Sequence, residues 1–109
     1  MNHFARKQSL HADVVIVGGA VIGSAAAYFL SAEVALGGSI IVVEQDLSYS
    51  RCATTLSVAS IRQQFSTPEN NRISQFGVEF IKNLPQCLTV HAYVPDIGLR
   101  ERGYLSLVH

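Results

Sequence analysis

Basic excess, a cysteine framework and a long apolar run are all missing from this chain, and each absence closes off a class of function. Eight lysines and arginines are matched by eight aspartates and glutamates, so the formal net charge is zero. No basic field gathers phosphates, which argues against nucleic-acid binding. Charged residues make up 15% of the chain, below the roughly 25% of an ordinary globular domain. With 49% apolar residues, that balance suits burial and excludes disorder. Cys52 and Cys87 form neither a metal-ligand spacing nor a disulfide framework, and read as reduced thiols of an intracellular protein. Four dispersed histidines (His3, His11, His91, His109) give no expectation of a metal site. The run Val14 to Val17 falls far short of the roughly 20 apolar residues that cross a bilayer. Asp13 before it and the glycines after it do not fit a signal peptide. A soluble, cytoplasmic protein without membrane association is expected.

Along the chain, residues 1–12 are polar and unpatterned and read as a flexible leader. Asp13-Val14-Val15-Ile16-Val17 is a continuous β-branched run, the pattern of a strand apolar on both faces inside a parallel sheet. Val21 to Ala32 is small, apolar and rich in alanine, which predicts a helix able to pack close to a strand. Gly37-Gly38 breaks it. Ile40-Ile41-Val42-Val43 then reads as a second buried strand ending at Glu44. Strand, glycine turn, helix, strand is a βαβ unit.

The turn between the first strand and the helix is Gly18-Gly19-Ala20-Val21-Ile22-Gly23. A dinucleotide pyrophosphate lies against a helix N-terminus, where unpaired N–H groups and the helix dipole favour anions. Gly18 permits the tight bend, and Gly23 lets helix and strand approach closely. Ala20 departs from the G-x-G-x-x-G fingerprint at its middle glycine, and its methyl narrows the approach to the phosphates. Glu44, at the end of the next strand, is placed to accept hydrogen bonds from a ribose and to repel a 2′-phosphate. Gln45 follows it into the same site.

Residues 45–64 hold no period for long, as expected of a functional loop. Thr67-Pro68-Glu69 predicts a helix start with a threonine cap, a proline in the first turn and an acid near the positive end. Ile73, Phe76, Phe80, Ile81 and Leu84 follow at helical spacing, and Pro85 is expected to stop the run. Ile97 to Arg100 and Tyr104 to Val108 look like two strands of a hairpin around Glu101-Arg102-Gly103.

The segment Asp13 to Leu30 (DVVIVGGAVIGSAAAYFL) with Ile41 to Glu44 (IVVE) resembles the N-terminal signature of the D-amino acid oxidase and sarcosine oxidase superfamily of FAD-dependent oxidoreductases. Ser57 to Ser66 (SVASIRQQFS) and Pro68-Glu69-Asn70 resemble its sarcosine and dimethylglycine oxidase-like branch. Gly103-Tyr104-Leu105 resembles the strand that opens that family's substrate-domain sheet.

The resemblance implies FAD as cofactor and oxidation of a C–N bond in a small-molecule amine or amino acid, with hydride passing to the flavin. It makes Arg51, Thr54, Thr55 and Ser57 candidates to contact the cofactor. Arg62 falls where some members pair an arginine with the substrate carboxylate, a task that suits a guanidinium fork; a structural ion pair or simple solvation is the alternative. No catalytic residue is assigned, and neither cysteine is expected to hold flavin covalently.

The expected organisation is an α/β, Rossmann-like FAD-binding βαβ over residues 13–84, followed by the start of a mixed substrate-domain sheet over 85–109. Because the resemblance lacks the later parts of the family's fold, an incomplete N-terminal piece, inactive alone or completed by another chain, is expected. An NAD-dependent dehydrogenase piece and a non-catalytic subunit of a split flavoprotein remain the alternatives.

Overall fold

Two β-branched runs, Val14–Val17 and Ile40–Val43, form the only sheet among the described residues, as strands β1 and β2. The structure, a computed structural model, describes residues 9–33, 35, 37–103, 105 and 107. The strands pair in parallel, Val14 with Ile40 through Val17 with Val43. A parallel pair needs a crossover, and the helix α1, Val21–Ala32, supplies it.

Successive side chains on a strand point to opposite faces. With this register, Val14, Ile16, Ile40 and Val42 share one face of the sheet, and Val15, Val17, Ile41 and Val43 share the other. Helix α1 packs on the first: a Cβ on Gly23 would lie 3.3 Å from Ile16 Cγ2. The second face is open, with Val15, Val17 and Val43 exposed at 57%, 86% and 50%. The expectation of strands buried on both faces is therefore met on one face alone, since α1, the one helix of at least two turns described in residues 9–59, packs on that face.

The chain divides into two units, Met1–Ala59 and Ser60–His109. In the second, α2 spans Pro68–Lys82 and α3 spans Leu84–Leu88. The amphipathic run becomes α2 because its apolar residues recur every three or four positions. Phe76 and Phe80 stack within it, ring centroids 6.4 Å apart. Leu84, 7% exposed, is the one buried apolar side chain among the described residues.

Three local expectations are corrected. Thr67 occupies the cap position of α2 but makes no side-chain cap bond; Pro68 removes one of the unpaired donors of the helix start, and Glu69 supplies the favourable charge. Pro85 does not stop α2. The helix ends at Lys82, where Asn83 Nδ2 donates to the Glu79 carbonyl at 2.9 Å, and Pro85 sits in the first turn of α3, where a missing N–H costs nothing.

The first strand of the expected hairpin, over 97–100, does not form. Gly98, with φ of +64°, leaves the β region, and its N–H donates to Asp96 Oδ1 at 2.8 Å, an aspartate turn that breaks the first strand. An isolated antiparallel bridge joins Val90 and Tyr93 instead. Tyr104, Ser106 and Val108 lie outside the described residues, as do residues 1–8 of the expected leader.

Candidate functional site: the glycine turn and the exit of the second strand

The turn leaves β1 at Gly18, whose φ of +97° is a conformation that L side chains rarely adopt. Its N–H donates to the Val43 carbonyl at 2.8 Å, so the last residue of β2 holds the start of the turn. Gly23 is required by space. A Cβ there would lie 1.8 Å from the Gly18 carbonyl oxygen. Gly19 is buried, and a Cβ on it would meet the Tyr49 hydroxyl at 2.9 Å.

Helix α1 begins at Val21 with Ala20 in the cap position. Alanine has no oxygen to offer, and the first turn carries no acid. The first N–H groups of an α-helix have no partner within the helix, and here no side chain caps them. Val21 and Ile22 bring those donors to the mouth of the turn, where both side chains are exposed. Such an end attracts an anion.

Glu44 closes the other side. Its Oε2 accepts from the Gly19 N–H at 2.7 Å and its Oε1 from the Asp46 N–H at 2.9 Å. Those two donors, Asp46 first, hold its carboxyl below the usual carboxylate range. It is ionised at neutral pH. An ionised carboxylate has about four acceptor sites, so each oxygen keeps capacity for a hydroxyl donor after these two bonds are made.

After Glu44 the chain turns on Asp46. Its Oδ1 accepts from Ser48 N–H at 2.9 Å and Oγ at 2.6 Å, and the Ser48 hydroxyl leads the causes that depress its carboxyl pKa. Tyr49 follows in the left-handed region, φ +54°. This turn shapes an open depression of about 670 Å³ lined by Glu44, Gln45, Asp46, Tyr49, Arg51 and Cys52. Of the candidates named from sequence, Glu44, Gln45 and Arg51 thus come together.

Thr54, Thr55 and Ser57 do not line that depression. The Thr55 hydroxyl lies 3.1 Å from Cys52 Sγ, and with the Thr55 N–H it pulls the thiol pKa down. The Ser57 hydroxyl donates to the Thr54 carbonyl at 2.8 Å. Arg62 is described within the second unit, its guanidinium over the Phe65 ring at 4.8 Å from the centroid. The ion-pair alternative for Arg62 is not found among the described residues, where the one ion pair joins Lys82 and Glu101.

Three contributors were missed in the sequence: Asp13, Asp46 and Tyr49. Asp13 Oδ2 accepts from both the Ser39 N–H, at 2.7 Å, and its hydroxyl, at 2.8 Å, which pins the entry of β2 to the entry of β1. The Ser39 N–H is the larger cause of the lowered Asp13 pKa. An aspartate two residues before a serine, as at Asp46 and Ser48, is the signal that would have found the second. Nothing local marks Tyr49.

A family model described as FAD dependent oxidoreductase matches residues 13–109. The chain belongs to that family. Similar proteins carry the name FAD-dependent oxidoreductase domain-containing protein 1. That of Bos taurus is 46% identical over 98 residues, covering 87% of this chain and 20% of the relative. That of Xenopus laevis is 46% identical over 99 residues, 88% of this chain and 20% of the relative. The Drosophila melanogaster homolog is 42% identical over 73 residues, 67% of this chain and 14% of the relative. The chain spans about a fifth of the length of the first two. No solved structure matches it.

Family membership makes FAD, and not NAD, the dinucleotide. The residues present fit it: an uncapped helix start for a pyrophosphate, glycine backbone where a Cβ would collide, and an ionised carboxylate for ribose hydroxyls. No described helix is long and apolar enough to cross a membrane.

Proposed function

We propose that this chain supplies the pyrophosphate and adenosine-ribose contacts of an FAD-dependent oxidoreductase that oxidises the C–N bond of an amine or amino acid. The observation that carries the reading is the Glu44 carboxylate bonded to the Gly19 N–H at 2.7 Å, beside a helix start left uncapped at Ala20. The N–H groups from Val21 onward hold the pyrophosphate, Glu44 takes the ribose hydroxyls, and Gln45 and Arg51 flank them. Thr54, Thr55 and Ser57 belong to the cofactor loop in this reading, and Arg62 pairs with the substrate carboxylate. Bound FAD supplies the acceptor for the substrate's hydride.

The amine specificity rests on the likeness of Ser57 to Ser66 to the sarcosine oxidase-like branch. The bare face of Val15, Val17 and Val43 supports a working enzyme in which more protein, in this polypeptide or a complementing one, covers the sheet; the 109 residues alone do not turn over substrate. The free thiols Cys52 and Cys87 suit a reducing compartment such as the cytoplasm.

The test compares FAD with FMN, which lacks the adenosine. Glu44→Gln is expected to weaken FAD binding about tenfold and leave FMN binding unchanged, read by quenching of flavin fluorescence. Equal affinity of both proteins for FAD overturns the ribose role. In the complete enzyme, anaerobic bleaching of the flavin band by N-methylglycine, dimethylglycine, proline or a D-amino acid tests the substrate class. Bleaching by NADH alone would sink the amine reading.

A further inference from the structure

Residues 61–65 have no helix or strand of their own, yet the chain there is held at two points by one face of α2. Asn71 Oδ1 accepts from the Phe65 N–H at 2.8 Å, and Asn71 Nδ2 donates to the Phe65 carbonyl at 3.0 Å. One side-chain amide thus satisfies both backbone groups of one residue, as a neighbouring strand would. Three residues on, on the same face of the helix, the Ser74 hydroxyl donates to the Arg62 carbonyl. The Phe65 ring in turn lies under the Arg62 guanidinium.

Arg62 is therefore fixed at both ends. Ser74 holds its backbone, and Asn71 holds the residue whose ring supports its charged plane. An arginine side chain has large rotamer freedom, and its fork binds a carboxylate by two parallel bonds only when the plane is correctly set. An aromatic face beneath the guanidinium attracts its charge and narrows that freedom.

We propose that Asn71 and Ser74 are positioning residues for Arg62, setting its guanidinium to receive the carboxylate of an amino-acid substrate. This rests on the reading of Arg62 as the carboxylate partner. Neither residue touches the substrate. Their loss lowers affinity for carboxylate-bearing amines and leaves the flavin and the chemical step alone.

The experiment uses the flavin-loaded holoenzyme, with phenylglyoxal labelling of Arg62 read by peptide mass spectrometry. Protection is titrated with N-methylglycine, dimethylglycine, proline and D-alanine. At least one is expected to protect Arg62 in the wild type. Asn71→Ala and Ser74→Ala are each expected to raise the protecting concentration about tenfold, with an unchanged flavin spectrum. Ser74→Thr, which keeps the hydroxyl, restores it. For whichever compound is turned over, KM rises in the alanine variants and kcat does not.

Equal protection in wild type, Asn71→Ala and Ser74→Ala overturns the positioning role while the carboxylate reading stands. If none of the four compounds protects Arg62 in the wild type, the carboxylate reading fails and takes the positioning role with it. A Ser74→Thr protein that behaves like Ser74→Ala also counts against the proposal, because shape and not the hydroxyl would then matter. Should Asn71→Ala lose its fold, the Ser74 pair decides alone.

Discussion

Gly23→Ala and Gly77→Ala place the same methyl on two helices and should move stability in opposite directions. In α1 the new Cβ lands 1.8 Å from the Gly18 carbonyl oxygen, 2.9 Å from its carbon and 3.3 Å from Ile16 Cγ2. A comfortable carbon–oxygen contact is about 3.3 Å, so α1 must retreat from the turn by roughly 1.5 Å. Overpacking of this kind costs about 1–3 kcal/mol, occasionally more, while alanine recovers about 1 kcal/mol of helix propensity. A 1.8 Å collision with backbone belongs at the upper end of that range, so the net loss is on the order of 2 kcal/mol. In α2, a Cβ on Gly77 meets nothing within 4 Å, so the full propensity gain of about 1 kcal/mol remains.

Urea titrations followed by far-ultraviolet circular dichroism read both effects. FAD titrations of the same proteins add a second axis, because the retreat of α1 moves the very N–H groups that hold the pyrophosphate. Gly23→Ala should lose FAD affinity by about tenfold or more, and Gly77→Ala should keep it. A Gly23→Ala protein as stable as wild type, or two variants shifting together, would refute the close-approach argument.

Ala20→Ser should separate folding from binding. A serine cap satisfies donors at the start of α1 and adds about 0.5–1 kcal/mol of stability, yet it competes with the pyrophosphate for those donors, so the melting temperature rises while FAD affinity falls. Acid should act on the first unit through Asp13, Glu44 and Asp46, whose carboxyl pKa values are all lowered. Their contribution is complete above the unfolded values, about pH 4–4.5, and is lost as pH falls through the depressed native ones; a pH-jump fluorescence titration of Asp13→Asn should show a shallower acid limb. Glu101→Gln removes the partner of Lys82 at 2.6 Å, but the two side chains are 42% and 69% exposed, so calorimetry should find no resolvable change in melting.

How much of this was legible in the sequence depended on the range of the forces involved. The βαβ unit announced itself because Val14–Val17 and Ile40–Val43 are β-branched throughout and the helix between them is made of small residues. Glycine placement was equally readable, since Gly18 and Gly23 are demanded by a dihedral angle and a collision within the same turn. The chain after Glu44 was not, because its path is set by side chains bonding to nearby backbone, as Asp46 does with Ser48 and Asp96 with Gly98. Alternation of apolar residues over 97–100 therefore suggested a strand where an aspartate turn won. The support of Arg62 was invisible for another reason. Asn71 and Ser74 lie on a helix face that periodicity marks only as polar, and the backbone they hold carries no pattern at all.

The register of the sheet also has a kinetic side. Each pair from Val14 and Ile40 to Val17 and Val43 joins residues 26 apart, as does the Asp13–Ser39 clasp. Closing a loop of that length costs chain entropy before any strand bond repays it. With α1 folded, 12 of the intervening residues are already gathered into a rod of roughly 18 Å, and the gap to be searched shrinks. The helix is thus a splint for the ring closure as well as a wall of the nucleotide site. Since Gly19 and Glu44 meet only once β2 has come home, the two halves of that site are born in the same event.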